Sequence, residues 1–511
     1  MDGMILISIA LPAIAGILLL LNSFMEHLKA SGTIGKEPVV KKTTEEQLRS
    51  LHIFTGIIMA VSAGLTMATA WTGSRSLKLF VLLDEIPVYF QIDEISKLFA
   101  TIVTIIWLLA GFYAFVYMKH EGEEKRYFGF YLLLYGVLIG LDFSGNLITM
   151  YLFYELMTLT SMPLVLHNGS RESIMAALKY LFYSMCGAYA GLFGIFFLYR
   201  YCDSFTFTAG GTLNMAAVSG HEGLLLIAVF VMLVGFGAKA GMFPLHSWLP
   251  AAHPVAPSPA SAFLSGIIVK CGVLATIRSV YYIVGPGFIR GTWVQYTWMI
   301  LTLVTVFMGS LLAFREPVFK KRLAYSTVSQ ISYILFGLSL LTPTAFAGAL
   351  LHTVAHAVVK CGLFLTAGVF LYQYGLTRVE QLKGMGKKMP VTMWCYTVFT
   401  LALIGIPPTA GFISKWFLAQ GSLQSGIHVF SWLGPVVLLI SALLTAGYLL
   451  PVTMKGFFPG EEAEGMDFKK EEPSPCMLIP LIILAVLAVL LGLLPNPLIQ
   501  YVTQAAASVL Q

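Results

Sequence analysis

Apolar stretches of about 20 residues, each bounded by charge or by Gly, Pro or Asn, recur along the whole chain; that is the length a helix needs to cross a bilayer. The pattern predicts an all-α polytopic membrane protein of about fourteen transmembrane helices. They fall near residues 4 to 22, 53 to 71, 94 to 117, 126 to 143, 146 to 167, 173 to 199, 223 to 248, 259 to 284, 293 to 314, 322 to 341, 345 to 374, 390 to 419, 430 to 457 and 476 to 496. The fourth and fifth meet at a tight turn, Asp142 to Asn146, and the tenth and eleventh at Thr342 to Thr344. The first run follows Asp2 with no basic region and no small-residue cleavage site, so it reads as a retained span rather than a signal peptide.

Two of these helices contain breakers. Gly235, Gly237, Gly241 and Pro244 interrupt the seventh; Gly405, Pro407, Pro408 and Gly411 interrupt the twelfth. Such residues remove or weaken backbone hydrogen bonds. The freed groups tolerate membrane depth only where protein or water satisfies them. The two helices run in opposite directions and lie five helices apart, which predicts two inverted five-helix repeats, helices 4 to 8 and 9 to 13. The chain then divides into N-terminal helices 1 to 3 (residues 1–120), a first repeat (121–288), a second repeat (289–460), and a loop with helix 14 (461–511).

Charge placement tests the span assignment independently, because loops on the cytoplasmic side carry the Lys/Arg excess. Lys36, Lys41, Lys42, Lys119, Lys125, Lys320, Lys321, Arg322, Lys387, Lys388 and their neighbours fall on one side, whereas Arg75, Lys78, Arg200 and Arg290 fall on the other. Both termini are therefore expected outside a prokaryotic cytoplasmic membrane, with the basic loops inside. Composition agrees: 58% of residues are hydrophobic and only 11% charged, too apolar for a soluble domain. The net charge of +6 does not indicate nucleic acid, since the basic residues form no aromatic-interleaved surface. The six cysteines form no Cys-x-x-Cys pair, so no iron–sulfur or zinc site is suggested and no cofactor is expected.

Ionisable groups deep inside apolar helices are the candidate chemistry, because a charge at bilayer depth is costly unless paired or hydrated. Lys239, Lys270, Lys360 and Lys415 sit deep, as does Glu155, about ten residues or roughly 15 Å from either end of its helix. Static ion pairs that fix helix packing would explain one Glu and one Lys. One acid cannot neutralise four lysines, so some amines must be neutral or hydrated, and a line of coupled amines is a proton path. His352, His356 and Lys360 recur at i, i+4 and i+8, about 6 Å apart along one helix face. The His pair could also bind a metal, but the spacing suggests no third ligand. His246, beside the first break, stands open between relay and packing. Lys179 is a further possible relay group, while Lys97 and Arg278 lie near enough to helix ends to snorkel, and His253 sits at a proline-rich turn that suggests a structural role.

The segment from Ala238 to Lys270 (AKAGMFPLHSWLPAAHPVAPSPASAFLSGIIVK) closely resembles the signature of the antiporter-like subunits of respiratory complex I, Mrp-type cation/proton antiporters and membrane-bound energy-converting hydrogenases. His352 to Lys360, Gly405 to Lys415 and Tyr154-Glu155-Leu resemble further segments of that family. The resemblance implies that Glu155 and Lys239 form an input ion pair, that Lys270 takes the next step, that His352, His356 and Lys360 form a central relay, and that Lys415 is the terminal group. Some members of the family have glutamate at that last position. The charged loop from Glu26 to Arg49 receives no role from the resemblance.

Two functions follow. The first is a proton-translocating subunit of a redox-driven complex, complex I-like or hydrogenase-like, with other membrane subunits, the lipid bilayer and a peripheral iron–sulfur module as partners. The second is a subunit of an Mrp-type Na+/H+ antiporter with no redox module. A passive scaffold leaves the buried lysines unexplained. In either working function, separating Glu155 from Lys239 would drive the Lys239 proton toward Lys270. Charges about 7 Å apart at an effective dielectric near 20 interact by roughly 2 kcal/mol, enough to bias where a proton sits.

Overall fold

The computed structural model describes residues 3–31, 45–73, 75–83, 86–460 and 469–510. Lys36, Lys41 and Lys42 of the charged loop lie outside the described residues.

Helices occupy every stretch that the apolar pattern predicts. They are α1 (Gly3–Ser31), α2 (Glu45–Trp71), α3 (Glu94–Glu121), α4 (Glu124–Asp142), α5 (Leu147–Val165), α6 (Arg171–Tyr201), α7 (Glu222–Ala240), α8 (Ser258–Val284), α9 (Trp293–Arg315), α10 (Phe319–Ser339), α11 (Pro343–Tyr374), α12 (Pro390–Ile404), α13 (Ala410–Gln424), α14 (His428–Phe457), α15 (Pro475–Leu493) and α16 (Asn496–Val509). Among the described residues, eleven helices are long and apolar enough to cross a membrane, so the protein is a multi-pass membrane protein. Their ends carry ordinary caps: the side chains of Asp93, Asn146 and Ser170 accept the backbone N–H of Ser96, Thr149 and Ser173 at the starts of α3, α5 and α6. Gly375 closes α11 in the left-handed conformation.

Two elements were not anticipated. An antiparallel hairpin, β1 (Ser76–Leu83) and β2 (Ile86–Gln91), joins α2 to α3. The segment was too short and too polar at its ends to register against a 20-residue template. The second is α16, whose apolar positions Val502, Ala505, Ala506 and Val509 pack inward at helical spacing.

The burial pattern sorts the helices. Every residue of α8 and every residue from 345 to 370 of α11 is buried, so these two form the axis of the bundle. α6 and α14 instead expose large apolar side chains, among them Phe196, Leu439 and Leu443, as a lipid-facing helix does. The expectation that Arg278 snorkels to an interface is corrected. Its side chain is 2% exposed and makes a bidentate pair with Asp93, Nη1 to Oδ2 at 2.5 Å and Nη2 to Oδ1 at 2.8 Å. The pairing ties α8 to the start of α3, and it satisfies a guanidinium that cannot shed its proton.

The seventh and twelfth expected helices are both broken. α7 ends at Gly241, which takes a left-handed φ of 79°, and the chain crosses Pro244 to a short helix, Leu249–Val255. α12 ends at Gly405, φ 93°, and the chain passes Pro407 and Pro408 before α13 begins. The backbone groups freed at the first break find protein partners: Trp248 Nε1 donates to Ala238 O at 2.9 Å, and Phe243 N donates to Thr305 Oγ1 at 3.0 Å.

Candidate functional site

Close backbone packing brings the first amine to its partners. Gly187 of α6 faces Gly235 of α7, where an added Cβ would meet the Gly235 carbonyl oxygen at 2.6 Å. Small residues at both positions let the helices touch backbone to backbone. One turn past Gly235, Lys239 Nζ then donates to Tyr180 Oη at 2.7 Å and Ser184 Oγ at 3.1 Å on α6 and to Thr158 Oγ1 at 2.8 Å on α5, and it lies 4.4 Å from the Tyr180 ring centroid. Lys239 is 1% exposed and sits in the last turn of α7, where the helix dipole favours a cation.

The expected Glu155–Lys239 ion pair is not formed in this structure. All three contacts of the Lys239 amine are hydroxyls, and Glu155 Oε1 instead accepts from Tyr151 Oη at 2.9 Å. Glu155 is half-buried one turn before Thr158 on α5, so the acid and the amine border the same place without touching. The Ser/Thr/Tyr cage solvates the ammonium, which removes the electrostatic need for direct contact.

Lys270 lies on α8 just after a π-helical turn, Leu264–Ile268. Such a turn leaves a carbonyl without its helical partner, and Lys270 Nζ donates to Ser265 O at 2.7 Å. The same Nζ lies 2.6 Å from His356 Nδ1 on α11. α8 approaches α7 closely at Gly272, where a Cβ would meet Ala240 N and Phe236 O at 2.7 Å, so the Lys239 and Lys270 segments are adjacent.

From His356 the line continues along α11. The ring centroids of His352 and His356 are 6.1 Å apart. His352 Nδ1 lies 2.9 Å from Ser414 Oγ and its Nε2 lies 3.2 Å from Gln330 Oε1, while its ring stacks on Tyr333 at 5.4 Å. Ser414 immediately precedes Lys415. Lys415 Nζ donates to Leu403 O at 2.6 Å and Ile404 O at 2.9 Å, and lies 5.1 Å from the Tyr333 ring centroid. Those carbonyls belong to the last two residues of α12 and are free only because the helix stops at Gly405. The second break thus makes the seat for its own amine.

Lys360 departs from this line. Its Nζ donates to Leu323 O at 2.9 Å and to Ser326 Oγ, both on α10. Lys179 is exposed on α6 with Nζ 6.0 Å from the Tyr183 ring centroid. His246 is half-buried beside the first break, stacked on Phe243 at 6.1 Å with a buried and unpartnered Nδ1. Neither Lys179 nor His246 touches the amine–imidazole line.

α10 supplies residues that the reading of ionisable groups did not reach. Ser326, Thr327, Gln330 and Tyr333 recur at three- and four-residue spacing, all fully buried, facing Lys360, the Ser265 turn, His352 and Lys415 in succession. The signal was present as a polar stripe on an otherwise apolar helix. Asp142, at the tight turn between the fourth and fifth expected helices, is 1% exposed with both carboxylate oxygens unpartnered.

The arrangement can pass protons. Lys270 and His356 are close enough to share one hydrogen, which either nitrogen can hold. Gln330 accommodates both states of His352: its oxygen accepts from a doubly protonated ring, and half a turn of the amide presents N–H to a neutral one.

The fold and these residues match known proteins. Residues 144–445 match the family described as NADH:quinone oxidoreductase/Mrp antiporter, TM, and residues 84–128 match the family described as NADH-ubiquinone oxidoreductase (complex I), chain 5 N-terminus. The chain is 33% identical over 435 residues to an NADH-quinone oxidoreductase subunit of Desulforudis audaxviator, spanning 81% of this chain and 84% of that one. It is 29% identical over 483 residues to an Na(+)/H(+) antiporter subunit of Bacillus subtilis, spanning 91% and 93%. Its fold superposes with a TM-score of 0.80 at 22% identity on a chain from the structure of the membrane-bound sulfane sulfur reductase, an archaeal respiratory membrane complex, covering 99% of this chain and 98% of that one.

Proposed function

Because the chain belongs to the NADH:quinone oxidoreductase/Mrp antiporter membrane family, we propose that it is the proton-translocating membrane subunit of a multisubunit redox-driven complex, with Glu155, Lys239, Lys270, His356, His352, Lys360 and Lys415 as its relay. The observation that carries this reading is the run of close contacts at the bundle axis, Lys270 to His356, His356 to His352, and His352 to Ser414 beside Lys415. Glu155 and Lys239 act as the input: the acid held by Tyr151 and the amine held by three hydroxyls form the separated state. When the carboxylate swings toward Lys239 it favours the ammonium, and when it returns to Tyr151 the Lys239 proton is driven toward Lys270. The two halves, 121–288 and 289–460, act as inverted repeats, each with one broken helix and one amine at its break. The partners are other membrane subunits and an iron–sulfur module that supplies the driving reaction. The basic loops face the cytoplasm and both termini face outward.

The second reading, a subunit of an Mrp-type antiporter, is favoured by the match to the Bacillus subtilis antiporter protein over 91% of the chain. Purification of the tagged chain from its native membrane separates the two: iron–sulfur subunits in the isolated complex support the first, small antiporter subunits alone the second.

In vesicles holding matched amounts of assembled complex, Glu155→Gln, Lys239→Ala and Lys270→Ala should each lower proton movement coupled to the driving reaction by on the order of tenfold or more. Unchanged coupled acidification in an assembled Lys270→Ala variant removes the relay reading.

A further inference from the structure

Tyr333 of α10 adjoins both groups at the far end of the proposed relay. Its ring stacks on that of His352 with centroids 5.4 Å apart and planes 22° from parallel, and Lys415 Nζ lies 5.1 Å from the same tyrosine centroid. Tyr333 is fully buried and His352 nearly so. The hydrogen-bonding neighbours of His352 and Lys415 are a hydroxyl, a side-chain amide and two backbone carbonyls. A positive charge on either group therefore has no anion bonded to it, and the face of the aromatic ring is the further source of negative potential beside it. Tyr333 offers these two groups its ring alone, because its hydroxyl is committed elsewhere: Oη donates to Leu438 O of α14 at 2.7 Å. The other broken helix differs. There Lys239 lies 4.4 Å from the Tyr180 centroid but also donates to that tyrosine's oxygen. At Tyr333 the ring and the oxygen serve different partners, so their roles can be separated.

We propose that the ring of Tyr333 serves as the counter-charge for the last step of the relay, stabilising the imidazolium of His352 and the ammonium of Lys415 in turn. An aromatic quadrupole attracts a cation within about 6 Å of the ring centroid, and more strongly where water is excluded. Because one ring adjoins both groups, it eases the charge at the start and at the end of the step alike and traps the proton at neither. A carboxylate in its place would form a buried ion pair that is costly to break. The ring carries no proton itself. Tyr333 is thus a positioning residue for the charge, held in place through Leu438 O. The inference rests on the relay reading for the roles of His352 and Lys415.

The test uses the whole complex in vesicles, at matched amounts of assembled protein. Tyr333→Phe keeps the ring and should pump within about twofold of wild type. Phenylalanines carrying one, two and three ring fluorines are then placed at the same position by nonsense suppression. Fluorine withdraws electron density from the face while leaving the ring nearly the same size, so coupled proton movement should fall stepwise, by on the order of tenfold at three fluorines. A flat series assigns Tyr333 to packing and overturns the inference. An assembled Tyr333→Phe that loses as much as Tyr333→Leu also overturns it, because the hydroxyl would then carry the role. Should Tyr333→Phe not assemble, tyrosines with one and two ring fluorines, which keep the hydrogen bond to Leu438 O, are read in the same way: a stepwise fall supports the inference and a flat series overturns it. Lys270→Ala is measured alongside. Normal pumping by that variant sinks the relay and this inference with it; a silent Lys270→Ala beside a flat fluorine series sinks this inference alone.

Discussion

The four deep lysines solve one problem in four ways, and each solution uses neutral groups. Lys239 takes three hydroxyls, Lys270 a carbonyl and an imidazole, Lys360 a carbonyl and a hydroxyl, and Lys415 two carbonyls. A carboxylate partner would lock an ammonium in place, and removing one member of such a buried pair is strongly destabilising. A carbonyl accepts an N–H from an amine or an ammonium alike, and a hydroxyl can turn to donate to the amine, so these seats tolerate loss of the proton. Lys415 gives the sharpest prediction. Only a group that holds a proton can donate to Leu403 O and Ile404 O, which a protonated carboxyl does and a methyl does not. Lys415→Glu should therefore retain several-fold more coupled proton transport than Lys415→Ala at matched assembly. A Glu variant no better than Ala removes Lys415 from the relay. The amines themselves were legible in the chain because a lysine in an apolar run is conspicuous. Their partners were not, because Ser, Thr and Tyr are unremarkable in membrane helices until packing brings them together.

At the scale of elements, the breaks and the close glycine contacts position the chemistry. Gly405 frees the carbonyls that seat Lys415, and Gly187 against Gly235 sets the approach that seats Lys239. The breaks could be read from clustered Gly and Pro in an apolar run, but the π-helical turn beneath Lys270 carries only a single glycine, Gly266, which does not by itself mark such a turn. Loops add a further lock. His167, just after α5, is 3% exposed; its Nε2 lies 3.1 Å from Gly122 O, and its carbonyl accepts from Arg126 Nη2 at 2.5 Å, joining α5 to the α3–α4 connection. Burial, with repulsion from Arg126 added, pushes the imidazole down to about 4. An unfolded histidine titrates near 6.5. Below about that pH the unfolded state therefore takes a proton that the folded state refuses, and stability falls until about pH 4 is reached. His167→Gln keeps a donor for Gly122 O without titrating. Going from about pH 7 to about pH 5 should lower the Tm of the detergent-purified wild-type complex more than that of the variant. Equal losses would show that His167 does not carry this sensitivity.

For the molecule as a whole, the centre of the proposed relay, Lys270, His352, His356 and Lys360, lies on the two buried axial helices α8 and α11, while α6 and α14 present apolar side chains outward. Burial of this kind strengthens the interactions between charged groups. Sidedness is a property of the entire chain, and it can be checked directly. Lys387 and Arg290 are both exposed, on loops that the charge distribution assigns to opposite faces. Single cysteines at these positions, in a background lacking the native thiols such as exposed Cys186 and Cys476, should react with an impermeant maleimide from opposite sides. Labelling of both from one side sinks the assigned orientation.

The sequence by itself determined the helices, their breaks, the family and the ionisable residues, because each of these is written in local composition: apolar length, Gly and Pro, and charge where charge is costly. Tertiary structure alone decided which groups meet. Glu155 and Lys239 are 84 positions apart and do not touch, while Lys270 and His356, 86 apart, lie at hydrogen-bonding distance. Arg278 finds Asp93 across the bundle, and the α10 stripe gains its meaning only from the helices packed against it. Periodicity reports which face of a helix is polar, but the partner of that face is fixed by helix packing, which depends on close contacts such as Gly187 with Gly235 between distant parts of the chain.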